Sequence, residues 1–75
     1  MGGLQLRRVR ASLGLSQKDL AERSGLAEQT ISDAERGRRQ IRLVSAYAIL
    51  KVLNELRQSE NLEALDIDSL DWNVE

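Results

Sequence analysis

The sequence predicts an all-α fold, a small bundle of short helices, from three observations. The chain has 75 residues, a length that suits one compact domain. It contains no proline, and its 41% apolar and 31% charged residues are typical of a folded helical domain rather than a disordered chain. Its apolar residues recur at helical spacing between three glycines, Gly14, Gly25 and Gly37, each of which is expected to end a helix.

The first helix is predicted over residues 4–13. Leu6, Val9 and Leu13 stand at positions i, i+3 and i+7, so their side chains form one apolar stripe. Gly14 follows and can take the left-handed backbone conformation that closes a helix. The first helix should therefore end at this glycine.

The second helix is predicted over residues 17–24. Ser16 offers a hydroxyl oxygen to the unpaired amides of the first turn, and Asp19 completes a weaker version of the capping box. Gly25 follows the last residue and favours a left-handed turn. The second helix should therefore be only two turns long.

Two further helices are predicted from apolar spacing. The third covers residues 28–36, where Ile31 and Ala34 face inward before Gly37 ends the helix. The fourth covers residues 43–57, after a basic loop. Its stripe is the longest in the chain and consists of Leu43, Ala46, Ile49, Leu50, Leu53 and Leu56.

The last segment, residues 60–75, differs from the body, residues 1–59, in charge and in pattern. The body holds all 11 basic residues and six acidic ones, whereas the tail holds six acidic residues and no basic one. Leu62 and Leu65 predict one more helical turn. A strand-like alternation then follows at Leu70, Trp72 and Val74. Because local charge decides where an anion binds, the basic body remains compatible with a nucleic-acid partner despite the net charge of −1.

The second and third helices are too short to bury a stripe alone, so they must pack as a unit joined at Gly25. This stretch resembles the xenobiotic-response-element family of repressors, the Cro and phage-repressor type. The matching motifs are Leu13-Gly14-Leu15-Ser16-Gln17, Leu20-Ala21, Gly25, Gln29-Thr30-Ile31-Ser32 and Glu35-Arg36-Gly37. The resemblance covers roughly residues 4–56. It implies a lambda-repressor-like bundle of about five helices, whose third helix enters the major groove of DNA.

The resemblance also implies which residues contact DNA. Gln17 is expected to face a phosphate together with the amides at the start of the second helix. Gln29 is expected to read a base, because a glutamine amide can bond adenine N6 and N7 together. For both residues the alternative is an ordinary exposed position on a helix surface.

Further contacts are expected from the outer side of the third helix and from the loop after it. The side chains are Glu28, Thr30, Ser32, Asp33, Arg38 and Arg39, with Arg42 at the margin. The two acidic ones would repel phosphates unless each accepts a bond from cytosine N4 or points aside. A solvated charge run is the alternative for the arginines, and a first-turn helix residue is the alternative for Thr30.

Arg10 and Glu35 match family positions whose charges meet between the first and third helices, so we expect a structural ion pair there. Other positions depart from the family. Ala27 stands where a Ser or Thr cap is frequent, an omission that should cost about 1 kcal/mol. Ile41 replaces a frequent proline, and residues 54–57 replace a Gly-rich break, so the fourth helix is expected to run longer.

The predicted function is sequence-specific binding of duplex DNA by a dimeric transcriptional regulator, expected to be a repressor. Without histidine or cysteine an enzyme is not expected, nor a metal site or cofactor. The absence of cysteine and of a long apolar run favours the cytoplasm over the membrane. The alternatives are an antitoxin or other protein-binding antidote that also regulates its own operon, and a restriction-modification controller.

The tail is predicted to be a surface for association. Its apolar residues would form a sticky patch if exposed, and they are Leu65, Ile67, Leu70, Trp72 and Val74. A second copy is the expected cover, with a toxin-like protein as the alternative. The third possibility is that Leu62 and Leu65 merely cap the core while residues 67–75 fray.

Overall fold

A computed structural model describes residues 4–75 of the protein. The described chain forms four α-helices, α1 Leu4–Ser12, α2 Gln17–Ser24, α3 Glu28–Arg36 and α4 Leu43–Ser59, followed by one 3₁₀ turn, Ile67–Ser69. The all-α prediction is therefore confirmed, with a 3₁₀ turn in place of a fifth helix. Residues 1–3 of the predicted body lie outside the described residues. None of the four helices is long and apolar enough to cross a membrane.

The observed helix boundaries follow local signals. Both α2 and α3 begin and end where predicted, because Gly25 and Gly37 take left-handed φ angles of 72° and 68°. Helix α1 ends one residue early, at Ser12. Helix α4 continues two residues past the predicted end, to Ser59, which confirms that it runs longer than the family pattern.

The two short helices begin differently. Ser16 and Asp19 form the predicted capping box: the Asp19 amide donates to Ser16 Oγ at 2.9 Å, and the Ser16 amide donates to Asp19 Oδ2 at 3.0 Å. The backbone amide of Ser16 first, and its side chain second, hold the pKa of Asp19 below its usual value. Ala27 precedes α3 without any side-chain cap, as the sequence indicated.

The core lies where the four helices meet. Helix α2 packs against α3 and α4, and α1 packs against α3. Each helix contributes at least one fully buried aliphatic side chain, and these are Leu6, Leu20, Ile31, Ile49 and Leu53. The stripes predicted from spacing thus form one core, as short amphipathic helices require.

The prediction of a helical turn at Leu62 and Leu65 is wrong. The chain reverses at Asn61, which has a φ of 62°, and then runs back along α4. The Asn54 side chain holds Leu65 there, since Nδ2 donates to the Leu65 carbonyl at 3.0 Å and Oδ1 accepts from its amide at 2.7 Å. A side chain of α4 therefore supplies the hydrogen bonds that a helical turn would have made.

The end of the tail packs into the core of the same chain. Leu70 is 3% exposed and Trp72 8%, and the indole Nε1 donates to the Ile67 carbonyl at 2.9 Å. The backbone of Ile41 bonds the chain on either side of Val74, giving one isolated parallel bridge. Leu70 and Trp72 were expected to be covered by a second copy or another protein, and the returning tail already buries them against helices of the same chain.

Candidate nucleic-acid interface

Glu35 of α3 connects three helices through one buried carboxylate. Arg10 of α1 donates through Nε to Glu35 Oε2 at 2.5 Å and through Nη2 to Oε1 at 3.1 Å. Arg10 Nη1 also donates to the Leu15 carbonyl at 2.7 Å. The two side chains are only 13% and 3% exposed, so this is a largely desolvated, bidentate pair that fixes α1 against α3.

Gln17, the first residue of α2, joins the same cluster. Its Nε2 donates to Glu35 Oε1 at 3.1 Å, and its side chain is partly buried. The structure thus places this amide against α3, although the sequence indicated a phosphate-facing position. Because Glu35 is bonded to both Arg10 and Gln17, the start of α2 is held at a fixed place relative to α3.

The outer side of α3 carries a hydrogen bond that the sequence analysis missed. Gln29 is exposed, and its Nε2 donates to Asp33 Oδ1 at 3.0 Å. The i, i+4 spacing of a glutamine and an aspartate on one helix is the signal that could have revealed this bond. Glu28 is exposed beside Gln29, whereas Ser32 is partly buried.

A groove runs between α3 and the start of α4. Thr30 and Asp33 line one wall, and Arg39, Arg42 and Ser45 line the other. Arg38, Arg39 and Arg42 are all exposed in the loop between the two helices. The structure therefore brings three of the predicted DNA-contacting residues, Thr30, Asp33 and Arg39, to one groove.

Electrostatics divide the surface into regions. The exposed loop arginines adjoin the outer side of α3, where Glu28 and Asp33 are the acidic side chains. Three acids of the tail lie elsewhere, since Asp66 and Asp68 lie beside α4 and Asp71 accepts from the Gln5 amide in the first turn of α1. The backbone of Glu75, in contrast, bonds Ile41 within the arginine loop. Within residues 4–75, no group of acidic side chains is arranged to hold a metal ion.

Most of this sequence is similar to sequences of known proteins. The sequence profile of the helix-turn-helix family matches residues 6–57, from α1 into the last turns of α4. An uncharacterized HTH-type transcriptional regulator of Methanothermobacter thermautotrophicus is 40% identical over 63 residues, 84% of this chain and 90% of that protein. Another such regulator, from Sinorhizobium fredii, is 35% identical over 51 residues, 68% of this chain and 66% of its own length. No solved structure matches the chain.

Proposed function

The chain belongs to the helix-turn-helix family, of the xenobiotic-response-element type, and we propose that it binds duplex DNA sequence-specifically as a dimeric transcriptional repressor in the cytoplasm. One observation carries the proposal: α2 and α3 form a unit fixed by Glu35, with Gln29 pointing outward from α3. A helix held in this way can enter the major groove with its first turn against the base edges.

Gln29 is the residue that we propose for reading a base. Its Nε2 carries two protons, and the bond to Asp33 uses one of them. The second proton can reach adenine N7, while Oε1 accepts from adenine N6. Asp33 thereby orients the Gln29 amide. This role explains why a carboxylate stands on a surface that is proposed to face DNA.

Phosphate contacts come from both ends of this unit. Arg38 and Arg39 are exposed beyond α3 and supply the positive charge, with Thr30 offering its hydroxyl from the same groove. At the other end, the first backbone amides of α2 face a DNA phosphate. The hydrogen bond from Gln17 to Glu35 holds this end of α2 in position. Glu28 and Ser32 complete the base-facing surface, where Glu28 is suited to accept from cytosine N4.

Selection of bound duplexes from a random pool tests the proposal. One copy of α3 spans only a few base pairs, so the selected sites should be two-fold related half-sites about 10–10.5 base pairs apart or a multiple of that distance. The Gln29→Ala variant, selected in parallel, should lose its preference at one position of each half-site. A pool that remains random for the wild-type protein would refute the proposal.

A protein-binding antidote remains the second candidate, and one observation bears on it. Part of the apolar tail is used within the chain, since Leu70 and Trp72 are buried. A toxin-like partner would therefore need a surface other than these two side chains. An antidote must neutralise another protein in addition to repressing its own operon. A protein that represses its operon but neutralises no other protein would therefore be a simple regulator.

A further inference from the structure

Helix α4 presents an apolar surface that the rest of the described chain leaves uncovered. Val44 is 81% exposed, Tyr47 52% and Leu43 45%, which makes them three of the most exposed large apolar residues. They occupy the first turns of α4, and Leu43 and Tyr47 are one turn apart. A contiguous apolar surface of this kind is typical of an interaction site.

The tail extends this surface. Ile67 of the 3₁₀ turn is half-buried and lies between two shallow grooves, one with Tyr47 and the other with Leu43. We call Leu43, Val44, Tyr47 and Ile67 the α4 patch. Because Leu70 and Trp72 turn into the core, the tail contributes to the patch mainly through Ile67.

Charges of opposite sign flank the α4 patch. Asp66 and Asp68 lie on either side of Ile67 and line the grooves on the tail side of α4. Arg42, which is not among the arginines proposed to contact phosphate, lines the groove that contains Ser45. Ser45 and Leu43 point about 160° apart around a helix, so the acidic and basic edges lie on different sides of α4.

We infer that the α4 patch pairs with the α4 patch of a second copy of this chain. A two-fold axis brings the acidic edge of one copy against the basic edge of the other, with the apolar side chains between them. A surface with both signs of charge complements itself, whereas a strongly basic or acidic partner would be repelled at one edge. This inference rests on the proposed function, for which it names the partner surface.

The dimensions of the protein suit such a dimer. The described chain measures 31 × 23 × 20 Å, so the centres of two copies packed side by side lie about one of these dimensions apart. Successive major grooves on one face of DNA lie about 34 Å apart. Since α4 begins directly after the arginine loop, pairing at its first turns joins the copies next to their DNA-facing surfaces.

Sedimentation equilibrium of the full chain over a range of concentrations tests the inference. The wild-type protein should form dimers, and Val44→Glu should raise the dimer dissociation constant at least about tenfold because it places a charge on the most exposed apolar residue of the patch. Leu62→Glu is the control, since Leu62 is likewise an exposed aliphatic residue, 45% against 81% for Val44, but lies outside the patch. Circular dichroism should show that both variants keep their helical content.

The charged edges give a second comparison without DNA. Asp68→Lys and Arg42→Glu should each weaken dimers, and the double variant should recover much of the loss because the exchanged charges face each other again. Added salt should weaken the wild-type dimer, because it screens the attraction between the acidic and basic edges. Equal losses for Val44→Glu and Leu62→Glu, or a wild-type protein that stays monomeric at all concentrations, would overturn the inference.

Binding to half-sites separates this inference from the proposed function. Val44→Glu should bind a duplex with one half-site as the wild-type protein does, and lose cooperative binding only on the paired site. If the wild-type protein recognises a half-site but shows no cooperativity on the pair, the α4 patch is not the dimer surface while the DNA-binding function stands. If neither the half-site nor the paired site is recognised, the proposed function fails and sedimentation alone decides the pairing.

Discussion

At the scale of single residues, we propose that Asp33 has two opposite effects on DNA binding. Its charge repels phosphate, yet its Oδ1 accepts from the Gln29 amide at 3.0 Å. A glutamine–aspartate bond of this spacing contributes about 0.2–0.5 kcal/mol to a helix. This contribution is too small to change the stability of the fold much. We therefore expect loss of the bond to affect base recognition rather than stability.

Two substitutions of Asp33 separate charge from positioning. Asp33→Asn removes the charge and keeps an oxygen acceptor for Gln29, whereas Asp33→Ala removes both. Both variants should bind random DNA more tightly than the wild-type protein. Only Asp33→Ala should reduce discrimination at the base pair read by Gln29, by about threefold or more, a part of the 1–3 kcal/mol of a bidentate contact. Competition binding with single-base-pair variants of the selected site measures both effects.

The control is the Gln29→Ala background, in which Asp33→Ala should no longer change discrimination. If Asp33→Asn loses discrimination as much as Asp33→Ala does, charge and not positioning is the cause.

At the scale of elements, the helix ends explain why α2 and α3 were predictable. Ser16 and Gly25 act through atoms within a few residues of themselves, so their identity and spacing sufficed to place both ends of α2. Asp19 participates in the same local cap. Its pKa is lowered by hydrogen bonds from Ser16, which links the stability of α2 to pH.

Asp19→Ala should therefore destabilise the protein in a pH-dependent way. A carboxyl group with a lowered folded-state pKa stabilises the fold above its ordinary value of 3.8, and this stabilisation is lost as pH falls through the folded-state pKa. The melting temperature of the variant should lie below that of the wild-type protein at pH 7, and the difference should shrink below pH 3.8. Thermal unfolding followed by circular dichroism measures the difference.

Glu22→Ala is the control at pH 7, because it removes an exposed acid from the same helix without touching the cap. A difference for Asp19→Ala that stays constant down to the lowest pH would show that the capping carboxylate does not act through its charge.

At the scale of the whole molecule, the sequence predicted the body better than the tail. Apolar spacing located the core stripes of α1 to α4, because a helix repeats its face every three to four residues. The path of the tail depends on Asn54 reaching Leu65 and on Ile41 pairing near Val74, contacts between residues far apart in sequence. Spacing within the tail carries no information about such partners, which is why the helical turn at Leu62 was mispredicted and the packing of Trp72 against helices of the same chain was not predicted.

Trp72→Ala tests the observed packing of the tail. Removing a buried tryptophan costs about 3–5 kcal/mol, and about 3 kcal/mol corresponds to at least about 12 °C in a domain of this size. The melting temperature should fall accordingly, whereas Leu62→Ala, at an exposed site of the same segment, should change it little. Equal melting temperatures for Trp72→Ala and the wild-type protein would show that the tail does not pack as observed.

The most direct test of the DNA-binding proposal compares affinities for the selected site and for random duplex at several salt concentrations. Gln29→Ala should lose about 1–3 kcal/mol on the selected site and almost nothing on random DNA. The Arg38→Ala, Arg39→Ala double variant should weaken both duplexes alike and lower the slope of log affinity against log salt by about one unit per lost phosphate contact. A wild-type protein with equal affinity for both duplexes, or a Gln29→Ala variant that loses equally on both, would contradict base reading by α3.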